Sequence, residues 1–261
     1  MSRRTQPSNA DSGGGPREAR PEKRSSDLLR VISERRSART QFDPGRSVPE
    51  GAIASIIEAA RWAPTPHNMQ NFELVFVDDA ATLKRLGRVR SRISKDFILE
   101  NFRQLSFTEG ELRRKGVGIL GTNFPPAWRD ARRLKAAVRD RRLTPLSESM
   151  NGSPSLLLVT YDPGRRAPSS EGDFLGVIGL GCVMENMWLT AQSLGIGFQI
   201  LSVFGGAAVQ RSVKRILGIP ERLRVAYAVR LGYPLKQDSG YLRVRREADS
   251  FVHRNSYGLT D

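Results

Sequence analysis

Arg35, Arg36, Ser37, Ala38 and Arg39 stand in a row near the start of the chain, and Arg243, Val244, Arg245 and Arg246 near its end. The chemistry these residue types offer is anion binding. A guanidinium donates two parallel hydrogen bonds from a planar fork and keeps its charge at any working pH, which suits phosphate. A phosphate monoester carries close to two charges, so a partly desolvated one needs two or more such cations. Residues 35, 37 and 39 alternate and can face one ligand where a helix gives way to extended chain. Taken alone, the first cluster is equally a set of cations complementing a helix C-terminus, or plain surface.

Between the clusters lies Ala63-Pro64-Thr65-Pro66-His67-Asn68-Met69-Gln70-Asn71-Phe72, a polar turn bounded by prolines and running into a strand. Other chemistries find little support. Gly176-Val177-Ile178-Gly179-Leu180-Gly181 lacks the spacing of a dinucleotide fingerprint and falls inside a helical pattern, and no P-loop is present. His67, His253 and Cys182 are too few for a convincing metal site or a Cys-His nucleophile, and no G-x-S-x-G elbow occurs. The carboxylates form no evident catalytic pair.

The elements that must position these residues are readable in outline. Residues 1–25, rich in Ser, Gly, Pro and charge, predict a disordered basic arm ahead of a single domain over 26–261. A first helix is expected from Ser26-Asp27, which can cap free amides, into Glu34-Arg35-Arg36. A second opens at Pro49-Glu50, turns Ile53, Ile56, Ile57 and Ala60 inward and stops at Pro64. Strands are expected at Phe72–Val77, Pro154–Tyr161, Phe198–Phe204 and Leu223–Leu231, the second buried on both faces. A long helix over 171–194, apolar nearly all round, must be buried in its own core or against a partner subunit. A further helix is expected over 206–217. Helices and strands interleave without regular βαβ repetition, which favours α+β.

The net charge is +15, and residues 84–142 hold 17 basic against 6 acidic residues. That segment has no zinc-ligand spacing, RNP-like strand or obvious helix-turn-helix, which disfavours a nucleic-acid partner. A solvated basic face explains it, with attraction of an anionic cosubstrate such as NAD(P)H as a second reading. Its three or four expected helices and low apolar content suggest a cap-like insertion. The absence of a long apolar run gives no expectation of a membrane span, and a lone cysteine suits a reducing cytoplasm.

Five segments in order resemble the FMN-dependent nitroreductase family. Arg35–Arg39 is similar to its R-R-S-x-R stretch, and Ala63–Phe72 to its A-P-S-x-x-N-x-Q-P-W-like segment. Ala191–Phe198 resembles its helix-to-strand turn, Gly232-Tyr233-Pro234 its G-Y-P strand ending, and Arg243–Arg246 with Phe251–Asn255 its basic C-terminal segment. The resemblance implies an α+β, nitroreductase-like fold, with a central mixed, mainly antiparallel sheet flanked by helices, in an intertwined homodimer. It implies that Arg35, Ser37, Arg39, Arg243 and Arg245, with Arg36 sharing the role, hold the phosphate and ribityl chain of FMN. Asn68 and Gln70 would hydrogen-bond flavin or ribityl oxygens, and backbone at Ile200, Leu201 and Ser202 would approach the isoalloxazine ring. No side chain need act as acid or base, because the flavin carries the redox chemistry.

The implied activity is ping-pong hydride transfer from NAD(P)H to a nitroaromatic, quinone or similar small-molecule acceptor. Dehydrogenation, reductive dehalogenation or flavin fragmentation on the same fold is the alternative, and a basic nucleic-acid or anionic-partner module is the alternative of another class. Three departures stand out: an extra residue between Arg39 and Phe42, Asn71-Phe72 in place of Pro-Trp, and Thr65 in place of Ser. Phe124 and Trp128, in the variable segment, are candidates for substrate stacking or for ordinary packing.

Overall fold

The computed structural model describes residues 21–105, 110, 114, 130–168, 172, 174–236 and 245–258. The chain divides into two compact units, Met1–Arg35 and Arg36–Asp261. In the first, helix α1 spans Pro21–Glu34. It starts earlier than the Ser26-Asp27 cap suggested, so residues 21–25, expected in the disordered arm, are helical. Proline is at home in a first helical turn, where its missing N–H costs nothing, and Glu22 complements the helix dipole there.

The second unit is built on a four-stranded sheet in the order β1-β4-β6-β5, with β1 Glu73–Val77, β4 Ser155–Tyr161, β5 Gly197–Leu201 and β6 Arg224–Gly232. All its described pairings are antiparallel. Strand β4 pairs on both sides and is buried along nearly its whole length, as its continuous apolar run demands. Alternation along the strands sends Leu157, Val159, Val229 and Leu231 to one face. That face is covered by α2 (Glu50–Arg61) and α7 (Phe174–Ser193) through Ile53, Ile56, Val183, Met187 and Trp188. Ile57, expected inside, is exposed. Leu156, Leu158, Val225 and Ala228 face the other way. There α3 (Ala80–Gly87), α6 (Leu146–Met150) and α8 (Ala207–Leu217) supply Leu86, Leu146, Met150, Val209 and Val213.

By length and composition alone α7 could cross a membrane. Its buried Leu180, Val183, Met187, Trp188 and Ala191 instead make it a core helix, with the Asn186 amide donating to the Ala59 carbonyl of α2. It ends at Gly195 (φ 67°), where the Ile196 amide reaches back to the Ala191 carbonyl. Strand β5 is shorter than the Phe198–Phe204 expectation, because residues Ser202–Gly205 coil into a 3₁₀ turn. A Cβ at Gly205 would lie 2.9 Å from the Ala226 carbonyl, so this turn seats against β6 through a residue with no side chain.

The basic segment 84–142 is less of a separate cap than its composition implied. Leu86 is a core residue, and Arg90–Arg92 (β2) pairs antiparallel with Leu143–Pro145 (β3) where only helices were expected. Helices α4 (Lys95–Leu105) and α5 (Ala131–Arg139) account for the rest of its described length. Three-residue strands, here Arg-Ser-Arg and Leu-Thr-Pro, give no alternation to read, which is why sequence missed this ribbon.

Candidate phosphate-type site on an anchored edge segment

After Arg35 the chain leaves α1 and runs along the outer edge of β5. The Ala38 amide donates to the Phe198 carbonyl (3.0 Å), and the Trp188 indole donates to the Arg36 carbonyl (3.2 Å) while stacking on Phe198 at 5.1 Å. Arg230, wholly buried at the end of β6, donates to the Ala38 and Thr40 carbonyls at 2.8 and 2.7 Å. Ala38 therefore turns both its peptide groups inward. In extended chain the peptide groups of neighbouring residues point the other way, so those of Ser37 and Arg39 lie on the opposite side of the segment. Ala38 is buried, while Ser37 and Arg39 are half-buried and Arg36 is exposed. Burial does not alternate strictly here: Arg36 is exposed although it shares parity with the buried Ala38, and Arg35, Ser37, Arg39 and Thr40 are all half-buried.

The segment then pairs with the chain that leaves β6. Phe42 bridges Pro234, the Asp43 amide donates to the Tyr233 carbonyl, the Leu235 amide to the Gln41 carbonyl, and the Thr40 hydroxyl to the Lys236 carbonyl. The Arg46 guanidinium lies over the Tyr233 ring, 3.5 Å from its centre. Two stretches remote in sequence, 36–46 and 233–236, are thus laid side by side. Arg245 follows Lys236 by nine residues and is exposed. Arg243 lies outside the described residues, as do Phe124 and Trp128.

The other polar candidate is the turn at 65–72. His67, Asn68 and Gln70 all adopt positive φ (49°, 52° and 46°), an uncommon cluster for residues other than glycine. The Thr65 hydroxyl holds the turn by accepting from the Gln70 backbone amide, and the Gln70 side-chain amide donates to the Asn68 side-chain oxygen Oδ1 at 3.2 Å. Thr65, standing where the family pattern has serine, thus supplies a hydroxyl that holds the turn. Asn71 is explained as well. Its amide donates to the Asp162 and Arg165 carbonyls and its oxygen accepts from the Asp162 amide, pinning the turn to the loop after β4. On the far side the turn rests on α7, where a Cβ at Gly179 would stand 3.3 Å from Pro66. Asn68 and Gln70 remain exposed.

At the far end of β5, Ile200 is half-buried, Leu201 is buried and Ser202 is exposed. The Leu201 side chain belongs to the core, so only backbone there can meet a ligand. Phe198, which receives Ala38, and Leu201 are three strand residues apart, about 10 Å of chain. Beside the turn lies an open cavity of about 440 Å³ whose walls include Tyr161, Gly205, Gln210 and Arg224. Tyr227, on the same wall, donates its hydroxyl to the Leu180 carbonyl, and burial pushes its ionisation above the ordinary phenol range. Among the described residues no group of three or more His, Cys, Asp or Glu side chains could hold a metal ion.

Arg230 is the residue that sequence reading missed. It sits in an apolar strand with no local mark of its role, and its backbone partners come from residues 38, 40, 150 and 151. By contrast, many arginines of the basic segment form exposed pairs with nearby acids: Arg103 with Glu100, Arg133 with Asp130, Arg139 with Asp140 and Arg142 with Glu148.

The profile of the nitroreductase family matches residues 32–233. An Archaeoglobus fulgidus protein provisionally named NADH dehydrogenase/NAD(P)H nitroreductase is 25% identical over 231 residues, 88% of this chain and 99% of its own. A Vibrio harveyi NADPH-flavin oxidoreductase is 30% identical over 99 residues, 38% of this chain and 40% of its own. The crystal structure of a Desulfitobacterium hafniense nitroreductase with bound FMN shares the fold, with a TM-score of 0.53 at 18% identity over 87% of this chain and 97% of that one. On the extent of the profile match and the shared fold, the chain belongs to the nitroreductase family.

Proposed function

We propose that the protein is an FMN-dependent oxidoreductase that draws on NAD(P)H and reduces a nitroaromatic, quinone or similar small acceptor in the cytoplasm. The observation that carries this reading is the anchored edge segment. Its inward peptide groups are consumed by the core, while Ser37 and Arg39 on either side of the buried Ala38 keep part of their surface open. A hydroxyl and guanidinia on a fixed backbone are the donor set that a phosphate monoester requires. Ser37 and Arg39 would hold that phosphate, with Arg36 sharing the role, joined by Arg243 and Arg245 from the chain that follows Lys236. The span along β5 to the backbone of Ile200–Ser202 suits a ribityl chain ending in a ring placed at the 3₁₀ turn. Asn68 and Gln70, presented by a turn held in positive φ, would supply amide hydrogen bonds to the flavin or its ribityl oxygens.

Bound FMN supplies the redox chemistry, accepting a hydride from a nicotinamide and releasing reducing equivalents to a second substrate. The protein's part is to bind, orient and shield. That both substrates use one site in turn, a ping-pong scheme, is supported by the lack, among the described residues, of a separate parallel-sheet dinucleotide-binding fold.

The homodimer belongs to the same reading. Phe174, Val177 and Ile178 on α7 are 70%, 56% and 44% exposed, beside a helix face that is otherwise core. An apolar strip on a long helix is stabilised by burial against a second copy. Light scattering is expected to give twice the chain mass, and Val177→Asp to shift it to the monomer.

The activity is tested by purifying the protein, recording its visible spectrum and adding NADPH or NADH without oxygen. Flavin absorbance that bleaches within the mixing time supports the reductase. A bound flavin that neither nucleotide bleaches points to dehydrogenation, dehalogenation or flavin fragmentation on the same fold. Absence of flavin, with no uptake of added FMN, overturns the proposal.

A further inference from the structure

Arg230 is an arginine with no exposed surface, set in a strand whose other buried residues are almost all apolar. Its Nε donates to the Gln199 side-chain oxygen (2.6 Å), Nη1 to the Met150 and Asn151 carbonyls (3.3 and 3.2 Å), and Nη2 to the Ala38 and Thr40 carbonyls (2.8 and 2.7 Å). The Phe42 ring lies beneath the guanidinium at 4.1 Å. These five acceptors are neutral oxygens. Burying a charge is costly, and a neutral residue of similar shape would fill an apolar strand end at lower cost. What the fork achieves is geometric. It seizes the carbonyls on either side of Arg39 and ties them to the strand end.

We infer that Arg230 is a positioning residue for flavin phosphate: by clamping the Ala38 and Thr40 carbonyls it fixes the backbone of Arg39, and so directs Ser37 and Arg39 at the phosphate. The inference rests on the FMN reading above. It assigns a role to a residue that touches no ligand and lies outside the R-R-S-x-R stretch. Lysine cannot replace it fully, because an ammonium lacks the planar five-donor fork that reaches Ala38, Thr40, Met150, Asn151 and Gln199 at once. A buried cation also adds positive potential just beneath the peptide of Arg39, where low dielectric screens it weakly.

The prediction is specific to phosphate, which separates positioning from mere support. FMN and riboflavin differ only in the phosphate, so the ratio of their dissociation constants isolates the cradle. Wild-type protein, freed of flavin and titrated with each by fluorescence, is expected to bind FMN at least about 100-fold more tightly than riboflavin, given two or more charge-assisted hydrogen bonds. In Arg230→Met that preference is expected to fall at least about tenfold while the riboflavin constant stays within about twofold, and Arg230→Lys to recover part of it. Equal weakening of both flavins, or no change in the ratio, overturns the inference and leaves Arg230 a structural staple. Should Arg230→Met not fold, Gln199→Leu tests the same point: it removes one acceptor of the fork and is expected to lower the ratio a few-fold, and an unchanged ratio counts against the clamp. A wild-type protein with no preference for FMN over riboflavin overturns the phosphate cradle itself, and the role of Arg230 with it.

Discussion

Two regions of this molecule are rich in arginine, and they are held in opposite ways. At 36–42 the backbone is fixed by the core: Trp188 holds the Arg36 carbonyl, Phe198 the Ala38 amide, and Arg230 the carbonyls on both sides of Arg39. At 84–142, where most of the net charge lies, arginines on exposed helices and loops pair with acids close by in sequence. Such exposed pairs contribute little and are screened by salt. A site is thus marked by side chains whose backbone the core has immobilised, and charge count is a poor guide to it.

The largest effect that would sharpen this contrast comes from beneath the anchored segment. Phe42 is fully buried, carries the Arg230 guanidinium on its ring and bridges Pro234. Phe42→Ala is expected to cost about 3–5 kcal/mol by urea denaturation, through lost transfer energy and the cavity left behind. A cost under about 1 kcal/mol would mean that the segment is not core-anchored. Thr65→Val keeps the shape of the 65–72 turn but removes the hydroxyl that accepts from the Gln70 amide. The expected loss is about 1 kcal/mol of stability, with FMN affinity falling several-fold because Asn68 and Gln70 lose their fixed presentation. Unchanged affinity would remove the turn from the site.

A smaller effect tests the surface kind of interaction within the same unit. Glu58 accepts from Arg61 and from the Trp62 indole, and these bonds hold its carboxyl down from 4.5 to about 2. A carboxylate depressed on folding stabilises the native state above its unfolded value, and that contribution is lost as pH falls from about 4.5 through about 2. Wild type is therefore expected to lose slightly more stability than Glu58→Gln over that window. Because the group is fully exposed the difference is expected to be small and to vanish in high salt; a large, salt-independent one would contradict the surface assignment.

Much of this was legible in sequence because the signals are local. The continuous apolar run of β4 and the Gly195 stop of α7 each depend on a few neighbouring residues. What escaped is non-local. Arg230 reads as an ordinary charge near a strand end until its acceptors at Ala38, Thr40, Met150 and Asn151 are assembled. Asn71 looked like a departure from pattern and proved to be a cross-link to the loop at 162–165. Positive φ at His67 and Gln70 had no glycine to announce it. The β2–β3 ribbon was hidden because its short strands follow no alternation.

The most direct test removes the same charge from both regions. FMN affinity would be measured for Arg36→Ala/Arg39→Ala and for Arg139→Ala/Arg142→Ala, each lacking two cations. The first pair is expected to weaken FMN by at least about 100-fold, at about 1.5–3 kcal/mol for each charge-assisted contact, and the second to leave it within about twofold. Equal losses in the two would contradict the account, because the anchored segment would then act only through its charge.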